Sequence, residues 1–224
     1  AGMRVESDGV QPVETSLDGK GQEVSVVICP TDETAPPQTN TLTLVKNACS
    51  GNASGVASHG GSGLWEKNDC FENLQHNVYI AGADAKPHLR ANTVRDGKLF
   101  GMFVTGGAAP LCEGNRVSGN AEAGVLVEKG STPHFEGNDI FDGLGVGMRF
   151  QLAGLGTAKA NRVRSNKASG VEVLTAAAPT MTINTVSEND GAGIRVAEKG
   201  LGTFCQNTVE LNCGPGCLIQ TAAN

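Results

Sequence analysis

Eight asparagines, Asn47, Asn68, Asn92, Asn115, Asn138, Asn161, Asn184 and Asn207, recur along the chain at nearly constant spacing. The first step is 21 residues, the second 24 and every later one 23. A fixed period of that length means one small unit stacked on itself, each copy burying its apolar face on the next. A unit so short cannot enclose a core alone, so the period dictates a stack.

Numbered from each asparagine as zero, position 2 is apolar throughout: Cys49, Cys70, Val94, Val117, Ile140, Val163, Val186 and Val209. Positions 10 and 12 are apolar too, as in Met102/Val104, Val125/Val127 and Met148/Phe150. Alternation of that kind marks a strand with one buried face. A further inward row lies three residues before each asparagine and runs Leu44, Trp65, Leu89, Cys112, Phe135, Ala158, Met181, Phe204. Each period therefore supplies three short extended segments separated by Gly, Asn and Pro, which predicts an all-β parallel β-helix. Position 9 is Gly101, Gly124, Gly147, Gly170, Gly193 and Gly216, with Asn77 as the exception, and a left-handed turn there accounts for both residue types. Position 5 is Asn52, Asn73, Asn120, Asn166, Asn189 and Asn212, with Gly97 and Gly143 elsewhere, and marks a second bend. The asparagine amides are expected to stack at ~4.8 Å and to satisfy turn groups rather than bind a ligand.

The repeat makes residues 1–224 one domain of about nine coils of 23 residues, regular over 47–219, with a Pro- and Thr-rich insertion at 29–41. Gly2-Met3-Arg4-Val5 echoes Gly193-Ile194-Arg195-Val196, and the last strand, Cys217-Leu218-Ile219, stands close to the final residue. A stack that starts in mid-coil and carries no cap is expected to be a piece of a longer chain. A net charge of −6 and a pI near 5.2 offer no basic stripe for nucleic acid or an anionic membrane. No apolar run is long enough to span a bilayer. Of seven cysteines, Cys49, Cys70 and Cys112 fall in inward rows as small core residues, while Cys205, Cys213 and Cys217 crowd the last coils and could pair if oxidised. No Cys-x-x-Cys pair exists, so no metal or other cofactor is expected, and the cysteine pattern suits a reducing, cytoplasmic location.

Gly124-Val125-Leu126-Val127 with Pro133-His134-Phe135-Glu136-Gly137-Asn138-Asp139-Ile140 resembles the β-helix repeats of the pectate-lyase-like superfamily. The likeness looks strongest to the carbohydrate-binding and sugar-hydrolase domain of F-box-only ubiquitin-ligase adaptors, over residues 16–219. The resemblance implies a right-handed helix with three parallel sheets. It implies little about activity, because the superfamily holds lyases, hydrolases, epimerases and non-enzymatic interaction domains; in the adaptors the role would be substrate recognition.

Polysaccharide cleavage needs a carboxylate pair, or a metal and a base, inside a walled groove. Glu72, Asp96, Asp142 and Glu188 share position 4 but are scattered. Asp96 and Asp142 would lie two rungs, ~10 Å, apart. Uniform coils leave no groove walls, and no catalytic residue is assigned. His88 and His134 occupy equivalent positions with Leu111 between them, and His59 and His76 read as turn residues. Position 11 points outward and reads Val27, Ala57, Tyr79, Phe103, Leu126, Arg149, Glu172, Arg195, Leu218. Arg149, Glu172 and Arg195 are expected to pair, and Tyr79, Phe103 and Leu126 to form an apolar contact stripe. These six are the candidate partner-binding residues; the 29–41 insertion could instead fold over the stripe. The expected function is a non-enzymatic binding or scaffold module, with a protein partner first and a carbohydrate second. The alternative is a polysaccharide lyase or glycoside hydrolase.

Overall fold

The computed structural model describes residues 41–220 and, ahead of them, the strands Met3–Val5 and Val26–Ile28. The insertion, except Thr41, lies outside the described residues. Three parallel sheets wind around one axis, one with ten strands and two with eight. The long sheet runs from Met3–Val5 through His76–Ala81, Phe100–Thr105 and Val146–Phe150 to Cys217–Ile219. The second begins at Leu44–Val45 and the third at Ala48–Ser50, and every pairing joins a strand to its equivalent in the next coil.

The bends explain why each period folds into three strands. The residue before each ladder asparagine is left-handed, from Lys46 at φ 58° to Gln206 at φ 57°, and so is position 4, from Gly51 at φ 70° to Leu211 at φ 56°. A third corner carries two left-handed residues in succession, as in Leu152/Ala153 and Glu198/Lys199. The second bend therefore centres on position 4, one residue ahead of the asparagine expected to mark it. Glu72, Asp96, Asp142 and Glu188 are the corner residues there.

The position-9 glycines have a different cause from the one expected. None of Gly101, Gly124, Gly147, Gly170 or Gly193, nor Asn77, has a positive φ. A Cβ on Gly147 would lie 2.4 Å from Val163 Cγ1 and 2.6 Å from the Gly170 carbonyl oxygen. Space, not backbone conformation, requires glycine at this position of the strand.

The inward rows stack in register. Val94, Val117, Ile140, Val163 and Val186 follow one another up the third sheet, and Leu89, Cys112, Phe135, Ala158 and Met181 up the second. All ten are essentially inaccessible to solvent. Large and small residues alternate along a row, as in Cys112, Phe135 and Ala158, so bulky side chains share the narrow core with small neighbours.

Two polar ladders run beside this core. Asn138 donates Nδ2 to the Cys112 carbonyl and to Asn161 Oδ1, both at 2.9 Å, and its backbone N–H reaches the same Oδ1 at 2.9 Å. Its own Oδ1 accepts from Asn115 N at 2.8 Å and Nδ2 at 2.9 Å. The same pattern repeats from Asn68 to Asn184. The second ladder, at position 5, has two breaks, at Gly97 and at Gly143, and the first of them is repaired. Gly97 lacks the amide, and Asn77 fills the gap, accepting from Asn73 Nδ2 at 2.8 Å and donating to Asn120 Oδ1 at 2.9 Å. A Cβ on Gly97 would meet Asn77 Nδ2 at 2.7 Å. The two irregular residues, Asn77 and Gly97, are thus one compensated exchange.

Candidate functional site

Register turns the outward positions of the long sheet into two rows. Position 11 runs unbroken from Arg4 through Val27, Ala57, Tyr79, Phe103, Leu126, Arg149, Glu172 and Arg195 to Leu218. Position 8 runs beside it, with His76, Phe100, Ala123 and Val146 in register.

The two rows bring four rings together, and a fifth joins them from outside the rows. His76 stacks on Tyr79 at 5.5 Å and on Phe100 at 5.6 Å, and meets Phe103 edge-on at 5.0 Å. Tyr79 and Phe103 pack edge to face at 5.4 Å, and exposed His59 joins Tyr79 at 5.3 Å. Such geometry suits ring quadrupoles. His76, Tyr79, Phe100 and Phe103 are all half-buried. His76 Nδ1 is buried without a hydrogen-bond partner among the described residues, and burial pushes the imidazole pKa below its usual 6.5, which keeps the ring neutral at pH 7. Position 11 alone reveals only Tyr79 and Phe103. His76 and Phe100 emerge from reading position 8 beside it, and no bend separates them from the strand.

Leu126 departs from the expected exposed stripe. It is only 2 % exposed although it points outward, and its flanks in register are the larger Phe103 and Arg149. The charged half of the row pairs as expected. Glu172 takes Arg149 Nε at 3.1 Å on one oxygen and Arg195 NH1 at 3.1 Å on the other, and Arg195 Nε continues to Gln220 at 2.9 Å. Arg149, Glu172 and Arg195 are therefore committed to one another.

The second sheet carries separated polar pairs. His88 Nε2 meets Glu113 at 2.6 Å, while His134 contacts Thr157 and Glu136. Lys159, and after it His134, holds the Glu136 carboxyl below the usual carboxylate range. Leu111 stands between the two histidines in register, and no group of three potential metal ligands occurs among the described residues. Cys49, Cys70 and Cys112 are buried, and Cys205, Cys213 and Cys217 are exposed, all six as free thiols.

The third sheet holds a cluster that a tally of net charge conceals. At outward positions 1 and 3, Arg95 forks onto Asp69 at 3.1 and 2.8 Å and stacks on Phe71 at 4.2 Å. Three coils on, Arg164 forks onto Asp139 at 3.3 and 3.1 Å and stacks on Phe141 at 4.6 Å. Arg116 and Arg162 flank the second copy, in register with Asp139 from the coils before and after.

A family model described as a right-handed β-helix region matches residues 37–140 and again 113–224. No curated protein matches the chain significantly. Among solved structures, a mutant of the periplasmic alginate epimerase AlgG superposes with a TM-score of 0.62 at 13% identity, covering 90% of this chain and 50% of that one. The chain thus spans about half the length of that enzyme, and the likeness is one of fold. The special resemblance to F-box adaptor domains is not among these matches. With its three parallel sheets and a family match running from residue 37 to the end, the chain belongs to the right-handed β-helix family.

Proposed function

We propose that this β-helix is a carbohydrate-binding module, with the ring cluster of the long sheet as its contact surface. The carrying observation is the half-buried group of His76, Tyr79, Phe100 and Phe103, closed on one side by His59. A pyranose has apolar C–H faces and a polar rim. Rings that present π faces beside imidazole and phenol groups complement both. Patch size separates this from the protein-partner reading. A stable protein interface takes about 800 Å² from each side. With Leu126 buried, the apolar stripe is confined to two rungs, which suits a narrow chain of sugars. The alginate-acting structural neighbour makes a polysaccharide the natural ligand class to test first. A role in substrate recognition for a ubiquitin-ligase adaptor is supported by sequence resemblance alone.

Binding without turnover is favoured by where the charges sit. The carboxylate of this face, Glu172, is held by two arginines, and the position-4 carboxylates stand at corners of separate coils. The polysaccharide-cleaving alternative draws its support from neutral His76, a base stacked 5.5 Å from Tyr79. Titration calorimetry against a panel of neutral and acidic oligosaccharides tests the proposal. Tyr79→Ala and Phe103→Ala should each weaken binding about tenfold, the equivalent of ~1.4 kcal/mol. Binding that survives both substitutions, or no binding across the panel, would overturn it. Product release abolished by His76→Gln would establish the enzymatic reading instead.

A further inference from the structure

The third sheet carries an internal comparison. Asp69 and Asp139 head two copies of one arrangement, each with a forked arginine from the next coil stacked on a phenylalanine. At Asp69 one arginine completes the arrangement, and that arginine also reaches Asp96 at 3.1 Å. Asp139 draws three. Its Oδ2 has Arg164 NH2 at 3.1 Å, with Arg116 NH1 and Arg162 NH2 each at 3.6 Å. The side chain of Asp139 is 9% exposed, against 59% for Arg116 and 65% for Arg162. Arg164 alone satisfies the carboxylate, as Arg95 does in the first copy. Arg116 and Arg162 are surplus, and neither has another ion pair among the described residues. The corner carboxylate Asp142, one residue past Phe141, pairs with none of the three.

Both surplus guanidinium nitrogens approach one oxygen atom, so they are no farther apart than twice 3.6 Å. Arg116 also lies 4.8 Å from the Phe141 ring, whose other contact is Arg164, which restricts its freedom. Two exposed, partly ordered guanidiniums leave a local charge of +2 on a protein whose net charge is −6. Arginine forks match tetrahedral oxyanions, and a doubly charged group balances the surplus where a carboxylate leaves half of it.

We infer that Arg116 and Arg162, set by Asp139 and Phe141, form a binding site for a dianionic phosphate group. The site lies on a different sheet from the rings and stands independently of the carbohydrate reading. Calorimetric titration of the folded chain with inorganic phosphate, with glucose 1-phosphate and with acetate tests it. Both phosphates should bind saturably and acetate should not. The Arg116→Gln/Arg162→Gln variant should lose at least about tenfold in phosphate affinity. Arg95→Gln, which alters the copy without surplus charge, should bind phosphate like the parent. Should the double variant unfold by circular dichroism, the single Arg116→Lys and Arg162→Lys variants keep the charge, and each should still weaken phosphate by loss of the fork. Tighter binding of the sugar phosphate assigns the source to a monoester, and tighter inorganic phosphate assigns it to the free ion. Equal binding of acetate, no saturable binding, or undiminished affinity in the folded arginine variants would overturn the site.

Discussion

Replacing Asn138 with leucine tests whether the asparagine ladder is an internal support. The side chain makes four hydrogen bonds: two donated by Nδ2, to the Cys112 carbonyl and Asn161 Oδ1, and two accepted by Oδ1 from Asn115. Leucine removes all four. Asn161 Oδ1 keeps the Asn138 backbone N–H, and Asn115 Nδ2 keeps the Leu89 carbonyl at 3.0 Å. The Asn115 N–H and the Cys112 carbonyl lose these partners in an interior where water cannot replace them, since Asn115 and Cys112 are fully buried. Two such groups at ~1–3 kcal/mol each give a cost of roughly 2–6 kcal/mol. Gain from the apolar side chain is offset by forcing a branched group into a slot shaped for a planar amide. For a chain of this length that cost lowers Tm on the order of 10 °C. Differential scanning calorimetry against exposed Thr180→Ala, expected within about 0.5 kcal/mol of the parent, gives the comparison. Equal melting of the two variants would refute the reasoning, because the amides would then be dispensable.

Phe103→Asp should abolish glycan binding and leave the melting temperature near the parent value, since position 11 points away from the core; unfolding would place the ring in an internal role. Gly147→Ala should cost about 3 kcal/mol by denaturant titration, because its Cβ meets backbone at 2.6 Å, whereas Gly137→Ala, at φ 64° with open space, should cost about 1 kcal/mol. Gly97→Asn and Asn77→Gly should each destabilise, and the double exchange should recover at least about 1 kcal/mol of the summed loss in a double-mutant cycle. No unsaturated sugar or new reducing end should be released from a polyuronide panel, and release abolished by Asp96→Asn or Asp142→Asn would show the corner carboxylates to be catalytic.

How much of this was legible in the sequence depends on which side of the backbone a residue faces. Every coil must fill the same inward slot, so Val117, Ile140 and Val163 look alike and betray their row to simple counting. The ladder asparagines repeat for the same reason. Glycine at position 9 repeats just as faithfully, yet its cause is ambiguous in sequence: glycine suits both a left-handed turn and a crowded strand position, and only the structure separates the two. Outward rows face no common constraint. Tyr79, Phe103, Leu126 and Arg149 share a row without sharing a chemistry, so the row could be predicted but the burial of Leu126 could not. The arginines of the third sheet were harder still, because a net charge of −6 averages over faces that never meet.

The irregular pair Asn77 and Gly97 shows what kind of constraint the repeat imposes. Counted coil by coil, each is an error in its own column. In space they occupy one site, because Asn77 sends its amide into the position that Gly97 leaves empty and donates onward to Asn120 at 2.9 Å and to the Arg95 carbonyl at 2.9 Å. What fills this rung is an amide, whichever position supplies it, whereas at Gly143 the rung stays open and the glycine N–H donates directly to Asn166 Oδ1 at 3.0 Å. At the Asn77 rung the exchange is made in both columns at once, which keeps the buried chain of amides between Asn73 and Asn120 continuous. The same reasoning tells support from function. Residues whose loss is repaired by a neighbour belong to the framework, whereas Arg116 and Arg162 repair nothing, since Arg164 already satisfies Asp139. Groups that the framework does not use are the ones left to meet a ligand.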